Sequence, residues 1–313
     1  MLGLEITEAT FPLVTDRDVT WGPHRLGSGS FNTVFEVGLR NARGGVVTGV
    51  FKPLRSTDTG QAAALMGIAE DHPRTASRNL AVQDCARALG FDVIVATHIG
   101  LITVPARDGR RLPDPSLGLI MQVAPGAPAG DLSVAVLSRP DVIRAITQLQ
   151  LLDHVTAQAD RHPYNYHVHV DRHDQVTVMG FDNDQCFGAS FTHPDDIRQS
   201  QSPDHEHLRG TRMPPVVDRD MASALYGLQP ARMREILAGH LSAPEIEASV
   251  QRLEHVRAHI SALERQGRVI QPEQWSQPGV LRLLQPSNSY AARDIRHADA
   301  VRTARALESL ARW

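Results

Sequence analysis

The chain has 313 residues, enough for one large domain or two small ones, and its 42% hydrophobic and 21% charged residues are ordinary for a globular fold. A formal net charge of −3 excludes the broad pull toward nucleic acid or anionic membrane that a basic protein exerts, and 5% aromatics exclude a stock of base-stacking platforms. Two distant cysteines, Cys85 and Cys186, form neither a disulfide framework nor a zinc pattern and fit a reducing compartment.

The first residues, MLGLEITEATFPLV, show no basic segment followed by a long apolar one, so no cleaved secretory signal is expected. No apolar run approaches the ~20 residues of a membrane span. Among 32 basic residues Lys52 is the one lysine. A GC-rich codon bias explains the scarcity, yet arginine would have preserved the charge at position 52. Ammonium is a compact point charge and guanidinium a wide fork, and the two differ most at a phosphate.

Residues 18–55 alternate apolar and polar side chains around glycine turns and predict an antiparallel sheet. Residues 74–89 predict a helix ended by Gly90. Two strands follow around 93–104 and 117–124, separated by the polar turn 107–114. The Pro/Gly-rich segment 125–133 reads as a hinge or linker. Helical spacing of Val142, Ile146, Leu149 and Val155 predicts a helix over 140–156, and 164–171 with 175–182 predict a hairpin. Residues 189–220, rich in His, Asp, Ser and Pro, read as a mobile loop. Ser242 with Glu245 forms a capping-box pattern, and Ile246, Val250, Leu253, Val256, Ile260 and Leu263 make one core-facing stripe. The fold class is therefore α+β in two lobes: 1–124 a sheet with one helix, 125–313 mostly helical.

Four motifs carry chemistry. Gly27-Ser28-Gly29-Ser30 sits in a strand–turn–strand, where glycines let backbone N–H groups approach a polyphosphate; no Gly-Lys-Ser/Thr of a Walker A loop exists. Lys52 follows Phe51 on a strand, so the two point to opposite faces and the ammonium can reach phosphates under the glycine turn. Asp160-Arg161-His162-Pro163-Tyr164-Asn165 sets Asp and Asn at the spacing of a phosphoryl-transfer catalytic loop. There Asp orients the attacking hydroxyl and Asn offers a neutral oxygen to a metal. Phe181-Asp182-Asn183-Asp184 closes the hairpin, placing one or two carboxylates where Mg²⁺ (or Mn²⁺) is held against ATP phosphates. Asp171-Arg172-His173 repeats a tripeptide without the following Asn and reads as a turn. His205-Glu206-His207 reads as solvated loop, and His162, His167 and His169 lack an obvious ligand set for zinc.

These segments, spanning about residues 20–190, resemble the atypical protein kinase-like superfamily. Phosphatidylinositol 3-/4-kinases and HipA-type kinases carry related Asp-Arg-His-x-x-Asn loops, and Gln-x-Asp-Arg-His-x-x-Asn-Tyr with a later Phe-Asp-Asn-Asp resembles bacterial type III effector kinases. The resemblance implies a bilobal kinase-like fold using ATP and Mg²⁺. Asp160 is then the catalytic base, with His162 beside the γ-phosphate. Asn165, Asp182 and Asp184 hold metal, and Lys52 with Gly27, Ser28, Gly29 and Ser30 binds phosphates. Met121, Gln122 and Val123 line the adenine pocket, and Asp84 or Glu70 pairs with Lys52. The chain departs from the pattern at Asn32, which replaces the third glycine, at Asn183, which replaces the usual aromatic, and in having no clean helix glutamate. It further implies a protein acceptor, in a host cell after delivery from the bacterial cytoplasm, with a host activating factor. An inositol lipid or small-molecule acceptor, AMP transfer and a non-catalytic nucleotide-binding scaffold stay open.

Overall fold

The computed structural model of the protein describes residues 13–28, 33–41, 43–54, 60–105, 114–198 and 207–310. In chain order they form β1 (Val14–Thr15), β2 (Val19–Ser28), β3 (Thr33–Arg40), β4 (Val46–Pro53), α1 (Gly60–Met66), α2 (Thr75–Leu89), β5 (Thr97–Ile102) and β6 (Ser116–Gln122). Next come β7 (Ala127–Pro128), α3 (Val134–Leu137), α4 (Pro140–Thr156), β8 (Tyr166–Val170), β9 (Val176–Gly180) and β10 (Val217–Asp218). The chain finishes with α5 (Arg219–Gly227), α6 (Pro230–Leu237), α7 (Ala243–Arg265), β11 (Val269–Ile270), α8 (Pro278–Leu281) and α9 (Tyr290–Leu310).

The fold is α+β. Six strands form one sheet in the order β1-β5-β6-β4-β3-β2. It is mixed rather than purely antiparallel, because the two-residue β1 pairs parallel to β5. Alternation works as the sequence suggests. Phe35, Val37, Leu39, Phe51, Ile102 and Ile120 fill one face of the sheet, and Leu119 and Met121 turn to the other, toward Met179. The Phe51 ring lies so close to β6 that a Cβ at Gly118 would meet it at 2.4 Å, which fixes glycine there.

The division at residue 124 does not follow the packing. The helix α2 buries Ala81, Val82, Cys85, Ala86 and Leu89 in one cluster with Val142, Ile146 and Leu149 of α4, Met233 of α6 and Val250, Leu253 and Val256 of α7. Burying a side chain such as Val82 or Leu89 is worth about 1.5–3 kcal/mol against about 1 kcal/mol for an average hydrogen bond, so the helical half supplies most of the apolar hold on α2, while Gln83 ties it to Thr97 of β5. Fully buried Arg78 reinforces this: it donates to Pro73 O at 2.7 Å, to Cys186 O, and to the Glu245 carboxylate. Glu245 also closes the α7 capping box, accepting from Ser242 N at 2.8 Å and Ser242 Oγ at 2.7 Å. The helix α1 packs likewise, with Ala63, Met66 and Ile68 against Ala157, Ala159, Phe191, Ile197 and Leu208.

The 189–220 stretch is largely packed instead of loose. Phe191, Ile197, Leu208, Met213, Val216 and Val217 are buried, and Asp218 caps α5 through Met221 N at 3.0 Å. Its apolar residues follow neither a two- nor a 3.6-residue period, so polar composition conceals them. Residues 199–206, with His205 and Glu206, lie outside the described residues. The 125–133 segment is no free hinge either: β7 pairs with β8, and Ala129 and Gly130 are buried. Both cysteines are free and buried. No described helix is long and apolar enough to cross a membrane.

Candidate functional site

A cleft of about 570 Å³ opens between the sheet and the helical half. Leu26, Val34, Val50, Met121 and Val123 supply apolar walls from the sheet side, and Asp160, His162, Asn165, Asp182 and Asp184 supply polar groups from below. A largely apolar cavity with a few convergent polar groups is the usual form of a small-molecule site. Met121, nearly buried, stands at its back, with Gln122 and Val123 following along the rim. Gly27 and Ser28 pair with Val34 and Thr33 at the end of β2; Gly29 and Ser30 lie outside the described residues.

Lys52 is only 7% exposed, because β4 is flanked by β3 and β6 and turns this side chain inward. Its ammonium bonds Asp182 Oδ1 and Asp184 Oδ2, the latter at 3.0 Å. Burial alone lowers a lysine pKa, yet the two carboxylates outweigh it and hold Lys52 charged. Asp84 does not pair with it. It lies on the opposite side of α2, bonded to Arg87 at 2.8 Å and His240 at 3.0 Å, because α2 presents that face to α6 and the following turn. Glu70 is exposed. Asn79 of α2, 2% exposed, reaches the Asp182–Asp184 segment, its Oδ1 accepting from Asn183 N at 2.9 Å.

The loop below is organised by Arg161, fully buried. It clamps Asp153 of α4 through two bonds of 2.9 and 3.0 Å, and donates to Asn165 O at 2.8 Å, Phe181 O at 2.7 Å and Asn183 Oδ1 at 2.7 Å. One guanidinium therefore ties the Asp160–Asn165 loop to the Asp182–Asp184 segment. Gln158 adds a second tie, accepting from Asp160 N at 2.9 Å and donating to Asp182 O at 3.1 Å. These bonds hold Asp182 at φ 59°, a left-handed conformation costing a non-glycine residue about 1–3 kcal/mol. Asn165 donates Nδ2–H to Asp160 O at 2.9 Å, which leaves its side-chain oxygen for a ligand.

Electrostatics distinguish the carboxylates. Burial first, then repulsion from Asp182 and Asp184, pushes Asp160 up to about 6. Burial and neighbouring Asp182 raise Asp184 as well, with Lys52 opposing. Burial and the Arg209 charge hold His162 below the ordinary imidazole range. Asn165, Asp182 and Asp184 offer only hard oxygens, and Gln185, also lining the cleft, has a buried Oε1 with no hydrogen-bond partner. That donor set suits Mg²⁺ or Mn²⁺. Among the described residues no three His, Cys, Asp or Glu side chains are grouped as a metal site.

Sequence reasoning missed Arg161, Asn79, Gln158 and Gln185 as site-builders. It set His167 aside with His162 and His169 as lacking a zinc ligand set, whereas His167 lines the cleft, bonded through Nδ1 to Ala124 O at 3.1 Å and edge-on to Phe181. The strand alternation of 166–170 was the available signal. Asp171 is a turn residue, accepting from His173 N and Gln175 N at 2.7 and 2.9 Å. No protein-family model matches the chain, and no curated protein matches it.

Proposed function

We propose that the protein is an ATP- and Mg²⁺-dependent phosphotransferase with a bilobal kinase-like fold, acting on a protein serine or threonine. The observation that carries this reading is convergence. Lys52 meets Asp182 and Asp184 across 130 and 132 positions of sequence, in a cleft that also holds Asp160 and Asn165. A structural ion pair needs one carboxylate, not a lysine, three aspartates and an asparagine around an apolar cavity. Adenine fits against Met121, Gln122 and Val123. Lys52 binds the phosphates from above, with the turn around Gly27 and Ser28 over them. Asp160 receives the acceptor hydroxyl's proton as its oxygen bonds the γ-phosphorus and the bond to the β,γ-bridging oxygen breaks, releasing ADP. Asn165, Asp182 and Asp184 would hold the metal, which would supply neutralisation of phosphate charge. The likeness to effector kinases extends the reading to a host-cell acceptor. The test is incubation with ATP labelled on the γ- or the α-phosphate, plus Mg²⁺ and eukaryotic or bacterial lysate, read by intact mass and label. Transfer of γ-label supports the proposal, transfer of α-label shows AMP transfer, and no transfer in either lysate refutes it.

Two further outcomes follow from the geometry. A carboxyl with pKa near 6 accepts a proton only once ionised, so kcat/KM rises as pH increases through about 6 and flattens above. A profile flat from pH 5 to 8 would remove Asp160 as the base. Lys52→Arg keeps the charge but brings a fork into a nearly closed space between two carboxylates. Turnover falls about a hundredfold by misplacement of the phosphates, with the thermal midpoint little changed. Steady-state ATP consumption beside a melting curve measures both.

A further inference from the structure

A second concavity, of about 320 Å³, lies in the helical half away from the cleft and shares no lining residue with it. His193, Arg212, His255, His259 and Arg268 contribute to its walls, against one carboxylate, Asp195. These groups come from four stretches of chain: the helical turn at His193 and Asp195, the segment before β10 with Arg212, one face of α7, and the connection from α7 to β11.

The basic groups are anchored at their roots and open at their heads. The backbone of Arg212 is pinned on both sides, its N–H donating to Ser287 O at 2.9 Å and its carbonyl accepting from Gln150 Nε2 at 2.9 Å. Arg268 donates its N–H to Leu263 O at 2.8 Å and accepts from Val217 N at 3.2 Å. Neither guanidinium carries a hydrogen bond or ion pair among the described residues. The histidines are oriented as well. His193 Nδ1 accepts from Asp195 N at 3.2 Å, so its proton is on Nε2, and its ring lies 4.8 Å from that of His255. His259 donates Nε2–H to Pro214 O at 2.9 Å. Asp195, the one acid in the walls, already accepts from Met213 N at 2.9 Å through Oδ1.

We propose that this concavity is a binding site for a phosphate monoester, with Arg212 and Arg268 as the charged clamps and His193 and His255 as supplementary donors. The donor arrangement selects the ligand class. A planar carboxylate is satisfied by one guanidinium fork, whereas two guanidinium groups and imidazole N–H groups on different walls match a tetrahedral dianion with three terminal oxygens. A metal is disfavoured, since no three described ligating side chains are grouped for one and His259 spends its Nε2 on a carbonyl. The site is independent of the phosphotransferase reading. It does lie on the segment that reaches the cleft, because Arg209, three residues before Arg212, donates its N–H to Ala159 O at 2.7 Å.

Calorimetric titration of the full chain with a hexose phosphate, a phosphoserine peptide and its unphosphorylated form tests the proposal. The first two probes separate a free metabolite from a phosphorylated side chain. At least one phosphorylated probe binds the parent and the Lys52→Met variant alike, while the Arg212→Ala/Arg268→Ala double variant binds at least about tenfold more weakly, roughly 1.4 kcal/mol. His255→Ala, at an exposed position, weakens binding in the same direction and keeps the test valid should the double variant misfold. Equal affinity in the parent and the arginine double variant overturns the assignment, as does loss of binding in Lys52→Met alone. Absence of binding by either phosphorylated probe at ~10 mM, or equal binding of the unphosphorylated peptide, overturns it too.

Discussion

Asp160→Asn abolishes transfer, lowering kcat by about 10²–10⁴, yet leaves the thermal shift produced by ATP with Mg²⁺ intact. Asp160 is half-buried and bonded through its backbone rather than through its side-chain oxygens, so an amide is accommodated there. What the amide cannot do is receive the acceptor proton. Asp182→Asn behaves differently. Removing that charge deprives the cation of an anionic holder and Lys52 of a partner, so the Mg²⁺-dependent part of the shift disappears together with turnover. The pair of variants, assayed by melting with and without Mg²⁺ and by label transfer, separates proton acceptance from metal binding. Identical behaviour of the two in both assays would refute this division of roles.

Arg161→Ala unfolds readily. The substitution removes five hydrogen bonds and leaves the Asp153 carboxylate, 0% exposed, without its counter-charge. Breaking one side of a buried pair costs about 3–5 kcal/mol, a large share of the about 5–15 kcal/mol that holds an ordinary domain together. Urea unfolding shows the loss as a lower midpoint at similar slope. The double variant Asp153→Leu/Arg161→Met recovers a good part of the stability, because no charge is then stranded, but it does not recover transfer. The three acceptors bridging Asn165, Phe181 and Asn183 remain unclamped. Full recovery of both properties in the double variant would show that Arg161 is a stability element only.

The site was legible where chemistry dictates residue type and spacing. Asp160 and Asn165 stand five apart on one loop, Asp182 ends a hairpin whose alternation is plain, and Lys52 stands out as the one lysine. All of them line one cleft. The helix over 75–89 was legible too, with Gly90 as its left-handed cap. The partner of Lys52 was not. Which face of a helix meets which half depends on long-range packing, and α2 carries charged and apolar residues around much of its circumference. Asp84 was plausible by position, yet burial of Ala81, Val82 and Cys85 against the helical half turned it toward His240. The support shell was equally hidden. Arg161 and Arg78 look like surface charges in sequence, and Arg78 meets Glu245 from 167 positions away. The packed part of 189–220 escaped for a different reason: its buried side chains answer to an irregular path and show no period.

The placement of α1 and α2 has a consequence for how the molecule can be divided. The chain builds β2, β3 and β4, leaves for the helical half, returns to add β5 and β6, and leaves again. The six-stranded sheet is thus assembled from separate stretches, with an insertion between β4 and β5 whose apolar side chains pack largely against the helical half. No single cut yields two self-contained pieces: any fragment keeping the whole sheet carries α2 with its apolar face stripped, and any fragment keeping the helical half without it lacks a wall of its core. Exchange of the sheet as a module, by recombination or by design, therefore requires two junctions bracketing α1–α2 and a compatible partner for Glu245.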